Sequence, residues 1–80
     1  MVSQEEMEDL YGPLASHSEH KVGDRIRYIY EGQATAGTIV WVCAARPDSD
    51  PPLKLCYVVN PDVFAGMPHI TYPNDILTAE

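Results

Sequence analysis

Hydrophobic and polar residues alternate along several short segments of this chain, and residues that favour turns separate those segments. A period of two residues indicates β-strands with one buried face. The predicted strands cover residues 25–30, 37–44, 53–59 and 69–72. The second of these is apolar on both faces, so we expect the core to cover one face and another part of the protein to cover the other.

Proline, glycine and aspartate mark the loops between the predicted strands, above all at residues 46–52 and 60–68. A turn at residues 73–75, with a short 3₁₀ segment, is expected to lead into Ile76 and Leu77, which close the sheet. Four or five short strands with such loops predict an all-β domain, a small SH3-like barrel over residues 21–80. The predicted core contains Ile26, Ile39, Val58 and Leu77.

Residues 1–20 have a different pattern and are interpreted as an acidic helix followed by a polar linker. Ser3 and Glu6 have the spacing of a capping box, and Gly12-Pro13 ends the helical segment. One apolar stripe is formed by Met7, Leu10, Tyr11 and Leu14. Because two turns are too short to be stable alone, the segment is expected either to dock its stripe or to form a disordered tail.

The chain has 80 residues and a net charge of -7, from twelve acidic and five basic residues. This length fits one domain with a small core, to which a partner subunit would add stability. The negative field disfavours nucleic acid as a ligand. The sequence has no run of about 18 apolar residues, and its acidic start does not resemble a signal peptide, so we expect a cytoplasmic protein that does not enter the membrane.

Cys43 and Cys56 lie within apolar strands and are predicted to be reduced, buried thiols, as is usual in a cytosolic protein. A disulfide would need the two strands to be neighbours in a suitable register. Their spacing is not that of a zinc site, and His17 and His20 lie in the polar linker. The sequence also has no glycine-rich phosphate loop of the usual form and no recognisable Cys–His signature. We therefore expect no metal, no cofactor and no catalytic residues.

Most aromatic residues fall in or beside the predicted strands, more than a core of this size hides. Two interpretations stay open, since these side chains can line a groove or subunit interface, or can close the ends of the barrel. On the first interpretation, the partner is another protein or a second copy of the chain. The candidate binding residues are Tyr28, Trp41, Phe64, His69, Thr71 and Tyr72.

Several residues between 22 and 77 resemble the small type II dihydrofolate reductases of plasmids and integrons. The similarity rests on residues 23–27, the strand 37–43, Gly66, and Tyr72-Pro73 followed by Leu77. The resemblance implies an SH3-like barrel that forms a homotetramer around a pore, where NADPH and dihydrofolate bind. The family's Val-Gln-Ile-Tyr run corresponds to residues 69–72 here, of which only Tyr72 is retained.

The family's first-strand lysines correspond to Tyr28 and Ile29, so this chain lacks the cations expected to attract two anionic ligands. The sequence therefore favours a non-enzymatic module that binds a protein partner or itself. The alternative is a reductase-like enzyme in which four copies of residues 69–72 line a pore, position the substrate and use NADPH.

Overall fold

One short helix precedes five antiparallel strands in the structure, a computed structural model that describes residues 3–63 and 66–79. The elements are α1 (Gln4–Tyr11), β1 (Arg25–Tyr30), β2 (Gln33–Cys43), β3 (Cys56–Pro61), β4 (His69–Thr71) and β5 (Ile76–Ala79), with a 3₁₀ turn at Pro73–Asp75. The strands form one sheet in the order β4-β3-β2-β1-β5. The predicted all-β fold with a short N-terminal helix is confirmed.

Strand β2 begins four residues earlier than predicted, because a tight hairpin joins it directly to β1. Tyr30 pairs with Gln33, so only Glu31 and Gly32 form the turn. Both turn residues have positive φ, 51° and 80°. Positive φ at both central positions is typical of a two-residue hairpin, whose twist matches that of the strands.

Strand β3 is shifted toward the C-terminus relative to the predicted range. It begins at Cys56, and Leu53 instead forms an isolated bridge with Arg46 across the preceding loop. Each of these two residues donates its backbone N–H to the other's carbonyl, at 2.8 and 2.9 Å. The loop thus pairs backbone groups of its own before the ladder between β2 and β3 begins. The alternation of side chains does not show where that ladder begins.

An irregularity in β2 changes which side chains share a face. The register with β3 shifts between Ile39 and Trp41. Consequently Ile39 and Val42 belong to the main core cluster, whereas Trp41 and Cys43 pack on the opposite face. A β-bulge adds one residue to a strand, so strict alternation fails beyond it.

The main core lies between β1, β2 and β3. Its buried members are Ile26, Tyr28, Ile39, Val42, Tyr57 and Val59. Of the four predicted core residues, Ile26, Ile39 and Val58 are buried, but Leu77 is 51% exposed and that prediction is wrong. Strand β5 lies at the edge of the sheet. Its first residue, Ile76, packs against the core in place of Leu77.

Helix α1 covers the second apolar face of β2. Ser3 caps the helix by accepting a hydrogen bond from the Glu6 N–H at 3.2 Å. Met7 packs with Trp41, Cys43 and Val58 in a second buried cluster. The Trp41 indole N–H donates to the Gly12 carbonyl at 3.0 Å, which ties the end of the helix to the sheet. Within the described part of the chain, no helix is long and apolar enough to cross a membrane.

The helix ends at Tyr11, directly before Gly12 and Pro13, the residues predicted to end it. Gly12 has a φ of 88°, and Pro13 follows it. The chain then runs beside the end of β2, where Leu14 forms a bridge with Cys43. The Ala15 N–H donates to the Val42 carbonyl at 2.9 Å. Within the helix the predicted apolar stripe is divided, since Met7 packs against the sheet and is buried whereas Leu10 is exposed.

Candidate binding groove

The structure separates the predicted binding residues into buried and exposed groups. Tyr28, Trp41, His69 and Thr71 are buried, whereas Tyr72 is exposed. Phe64 lies outside the described residues. The four buried side chains therefore do not form a surface on the single chain, and a binding role for these residues stays a prediction.

Three of the rings around β4 form a polar cluster inside the protein. The Tyr28 hydroxyl and His69 Nδ1 are hydrogen-bonded at 3.1 Å. Tyr30 stacks on the His69 imidazole, with ring centroids 3.6 Å apart and planes 8° apart. Burial raises the pKa of Tyr28, and the charges of Asp62 and Tyr30 raise it further. The cluster joins β1 to β4, which are separated in the sheet by two strands.

Four of the exposed apolar side chains lie elsewhere, along an open groove of about 1430 Å³. One wall is the C-terminal half of α1, another is the loop of residues 44–55, and the third is the turn of residues 72–75. Cys43 and Cys56, at the end of the β2–β3 ladder, also line the groove. We call this feature the groove below.

Four hydrophobic residues of the groove are 44% to 70% exposed: Leu10, Leu53, Ile70 and Tyr72. Strand β4 shows how the sequence achieves this, because its side chains alternate between the two faces. His69 and Thr71 point inward and are buried, so Ile70 and Tyr72 remain outside. The sequence identified Tyr72 as a candidate binding residue, but Ile70 was not among the candidates and entered only through the run of residues 69–72 in the reductase-like alternative.

Charges of both signs border the groove. Glu8 and Asp9 lie on the helix wall, and Arg46 and Lys54 lie on the loop wall. The Arg46 guanidinium is close to the end of the helix, since a Cβ on Gly12 would lie 3.1 Å from its Nη2 atom. A cation near a helix C-terminus is favourable because of the helix dipole. The groove therefore presents apolar contacts between an acidic helix wall and a basic loop wall, and Asp75 adds an acidic side chain on the turn of residues 72–75.

Both cysteines are free thiols in the structure. Cys43 is buried and Cys56 is half-buried. Burial raises the pKa of Cys43 to about 12, and a hydrogen bond with the Cys56 side chain contributes to the shift. Among the described residues, no three histidine, cysteine or acidic side chains are arranged to hold a metal ion.

Comparison of the chain with protein-family models, curated proteins and solved structures finds no match. The resemblance to type II dihydrofolate reductases therefore stays a prediction from the sequence.

Proposed function

We propose that this chain is a non-enzymatic interaction module, an SH3-like barrel that self-associates through the groove. The observation that carries the proposal is the convergence of Leu10, Leu53, Ile70 and Tyr72 at one concave surface. A small soluble domain rarely leaves several large apolar side chains together in water unless another surface covers them. Covering them would add buried area to a core that is limited by chain length.

The charges favour a second copy of the chain as the occupant. In a two-fold dimer, each interface residue faces a different residue of the same patch on its partner. The helix wall with Glu8 and Asp9 can then lie opposite the partner's loop wall, which carries basic side chains. Such complementarity fixes orientation and disfavours other partners. Of the predicted aromatic binding residues that the structure describes, Tyr72 is the exposed one that lines the groove and would contribute to this interface, since Trp41 is only 4% exposed.

Sedimentation velocity over a concentration series tests the proposal. We expect a reversible dimer or larger oligomer at high micromolar concentration. Leu53→Asp should raise the dissociation constant about tenfold or more, because the charge would be buried at the interface. Val63→Asp is the matched control, since Val63 is 75% exposed and is not part of the groove.

Urea unfolding of both variants should show unchanged stability, because both positions are exposed in the single chain. A wild-type chain that stays strictly monomeric at high micromolar concentration would overturn the proposal. An equal effect of the two substitutions would also count against the groove as the interface.

One observation favours the reductase-like alternative, namely that Ile70 on β4 and Tyr72, the residue after the strand, are exposed together. Copies of this strand could face one another across a pore. The side chains at the positions of the family's lysines do not fit NADPH or dihydrofolate, because Tyr28 is buried and Ile29 is half-buried and apolar. No cation is thus supplied at these positions to hold either anionic ligand.

A further inference from the structure

Cys43 and Cys56 form the last pair of the β2–β3 ladder and lie directly opposite each other. Directly paired residues of antiparallel strands have Cα atoms about 4.5 to 5.5 Å apart, and their side chains project from the same face. A disulfide requires Cα atoms about 4.4 to 6.8 Å apart. The ladder therefore already provides the spacing for a bond between these two side chains.

From this register we propose that Cys43 and Cys56 are a covalent modification site, which forms a reversible intramolecular disulfide with a small-molecule disulfide such as oxidised glutathione as its oxidant. The inference does not rest on the proposed self-association, but both cysteines line the groove, so the reaction is followed on dilute chain in which the groove is open. It assigns a chemical role to the only two cysteines of the chain.

The loop between the two cysteines holds them in place. The Arg46–Leu53 bridge closes residues 46–53 by two backbone hydrogen bonds. On its other side, Cys43 is fixed by the bridge with Leu14. Because the loop after Cys43 and the segment beside Cys43 are both held by these bridges, the disulfide would not require the strands to move.

Accessibility determines the order of the two reaction steps. Cys56 is the less buried thiol and borders the open groove, so a soluble disulfide reaches it first. Cys43 is buried and remains a neutral thiol at neutral pH, since its pKa is about 12. The thiolate is the nucleophile in thiol–disulfide exchange, which makes Cys43 the slower of the two to attack a reagent in solution.

In the first step, the Cys56 thiolate attacks one sulfur of oxidised glutathione, which forms a mixed disulfide and releases one glutathione thiolate. In the second step, Cys43 loses its proton to solvent and its sulfur attacks the Cys56 sulfur. The bond from Cys56 to glutathione breaks, and a second glutathione thiolate leaves. Two protein thiols are oxidised to one disulfide, and one oxidised glutathione is reduced to two thiols.

The experiment incubates the dilute, folded chain with oxidised glutathione at mildly alkaline pH. Samples are quenched in acid, alkylated and analysed by mass spectrometry. We expect the wild type to lose the mass of two hydrogen atoms, to resist alkylation and to regain both thiols with dithiothreitol. Cys43→Ser should stop at the glutathione mixed disulfide on Cys56. Cys56→Ser leaves only the buried thiol, so it should form a glutathione mixed disulfide several-fold more slowly than Cys43→Ser.

The wild type itself provides the control against a variant that fails to fold. The intramolecular disulfide should form faster in the folded chain than in urea, because the ladder aligns the two sulfurs. Three outcomes would overturn the proposal: two alkylatable thiols that persist in the folded protein, a stable mixed disulfide on the wild type, or a disulfide between two chains.

Discussion

At the scale of single residues, the hydrogen bond between Tyr28 and His69 has the largest structural consequence. It joins two strands that are not neighbours in the sheet, and both side chains are buried. A buried polar group without a partner is costly, so this bond contributes to keeping both side chains in the core. The pair is best explained as part of the core that holds β4 in position beside the groove.

Tyr28→Phe should destabilise the protein by about 1 to 2 kcal/mol, since it removes a buried hydrogen bond at His69 without leaving a large cavity. Urea unfolding measures the change in the free energy of unfolding. Tyr72→Phe is the control, because its ring is exposed, and it should have no effect on stability. Equal stabilities of wild type and Tyr28→Phe would contradict the assigned role.

Stability should fall as the pH rises above 9.0. The pKa of the Cys43 thiol is raised from 9.0 to about 12, so between these values the unfolded chain has lost a proton that the folded chain retains. The contribution is complete below pH 9.0 and is lost as the pH rises toward about 12. Burial also raises the pKa of Tyr28 above 10.0, so this group likewise makes stability fall at alkaline pH.

Urea unfolding at a series of alkaline pH values, with reductant present, tests this dependence. Cys43→Ala should show a shallower decline than the wild type, because one of the two contributing groups is absent. Parallel declines would show that the thiol does not contribute.

At the scale of elements, helix α1 serves two surfaces at once. Met7 completes the buried cluster on the second face of β2, and Leu10 projects into the groove. The helix is short and depends on its docking contacts, together with the Ser3 cap. Its position then determines one wall of the groove.

Met7→Ala should lower the free energy of unfolding by about 2 to 3 kcal/mol, because the residue is buried and its removal leaves a cavity beside Trp41. Leu10→Ala, on the same helix, is 70% exposed and should leave stability unchanged. In sedimentation experiments Leu10→Ala should instead weaken self-association. If both substitutions destabilised the fold equally, the division of the stripe between core and groove would be wrong.

At the scale of the whole molecule, the net charge of -7 and the pairing of individual cations define possible ligands. Arg25 is engaged by Asp62, with Nη2 and Oδ2 2.6 Å apart. The hydrogen bond with Arg25 lowers the pKa of Asp62. Part of the small positive charge of the chain is thus compensated on its own surface, which disfavours polyanionic partners.

We expect no dihydrofolate reductase activity above background. Two anionic ligands would have to enter one pore without the family's cations, and Ile70 and Thr71 occupy positions where the family has a glutamine and an isoleucine. The measurement is NADPH oxidation that depends on dihydrofolate and resists trimethoprim. Steady turnover that Tyr72→Phe abolishes would favour the enzyme instead.

The sequence by itself determined the class of fold and much of its local structure. Alternation identified β1 with its observed bounds, and the Ser3 cap and the 3₁₀ turn at Pro73–Asp75 were also predicted correctly. These features depend on near neighbours in the chain: side-chain period, capping hydrogen bonds and the fixed φ of proline.

Tertiary structure decided which apolar residues are core and which border the groove. The bulge in β2 placed Trp41 beneath the helix, and docking of the helix on this face buried Met7 while Leu10 stayed exposed. The alignment of Cys43 with Cys56 also follows from the register between strands. These outcomes depend on residues far apart in sequence that compete for the same buried space, and periodicity carries no information about that competition.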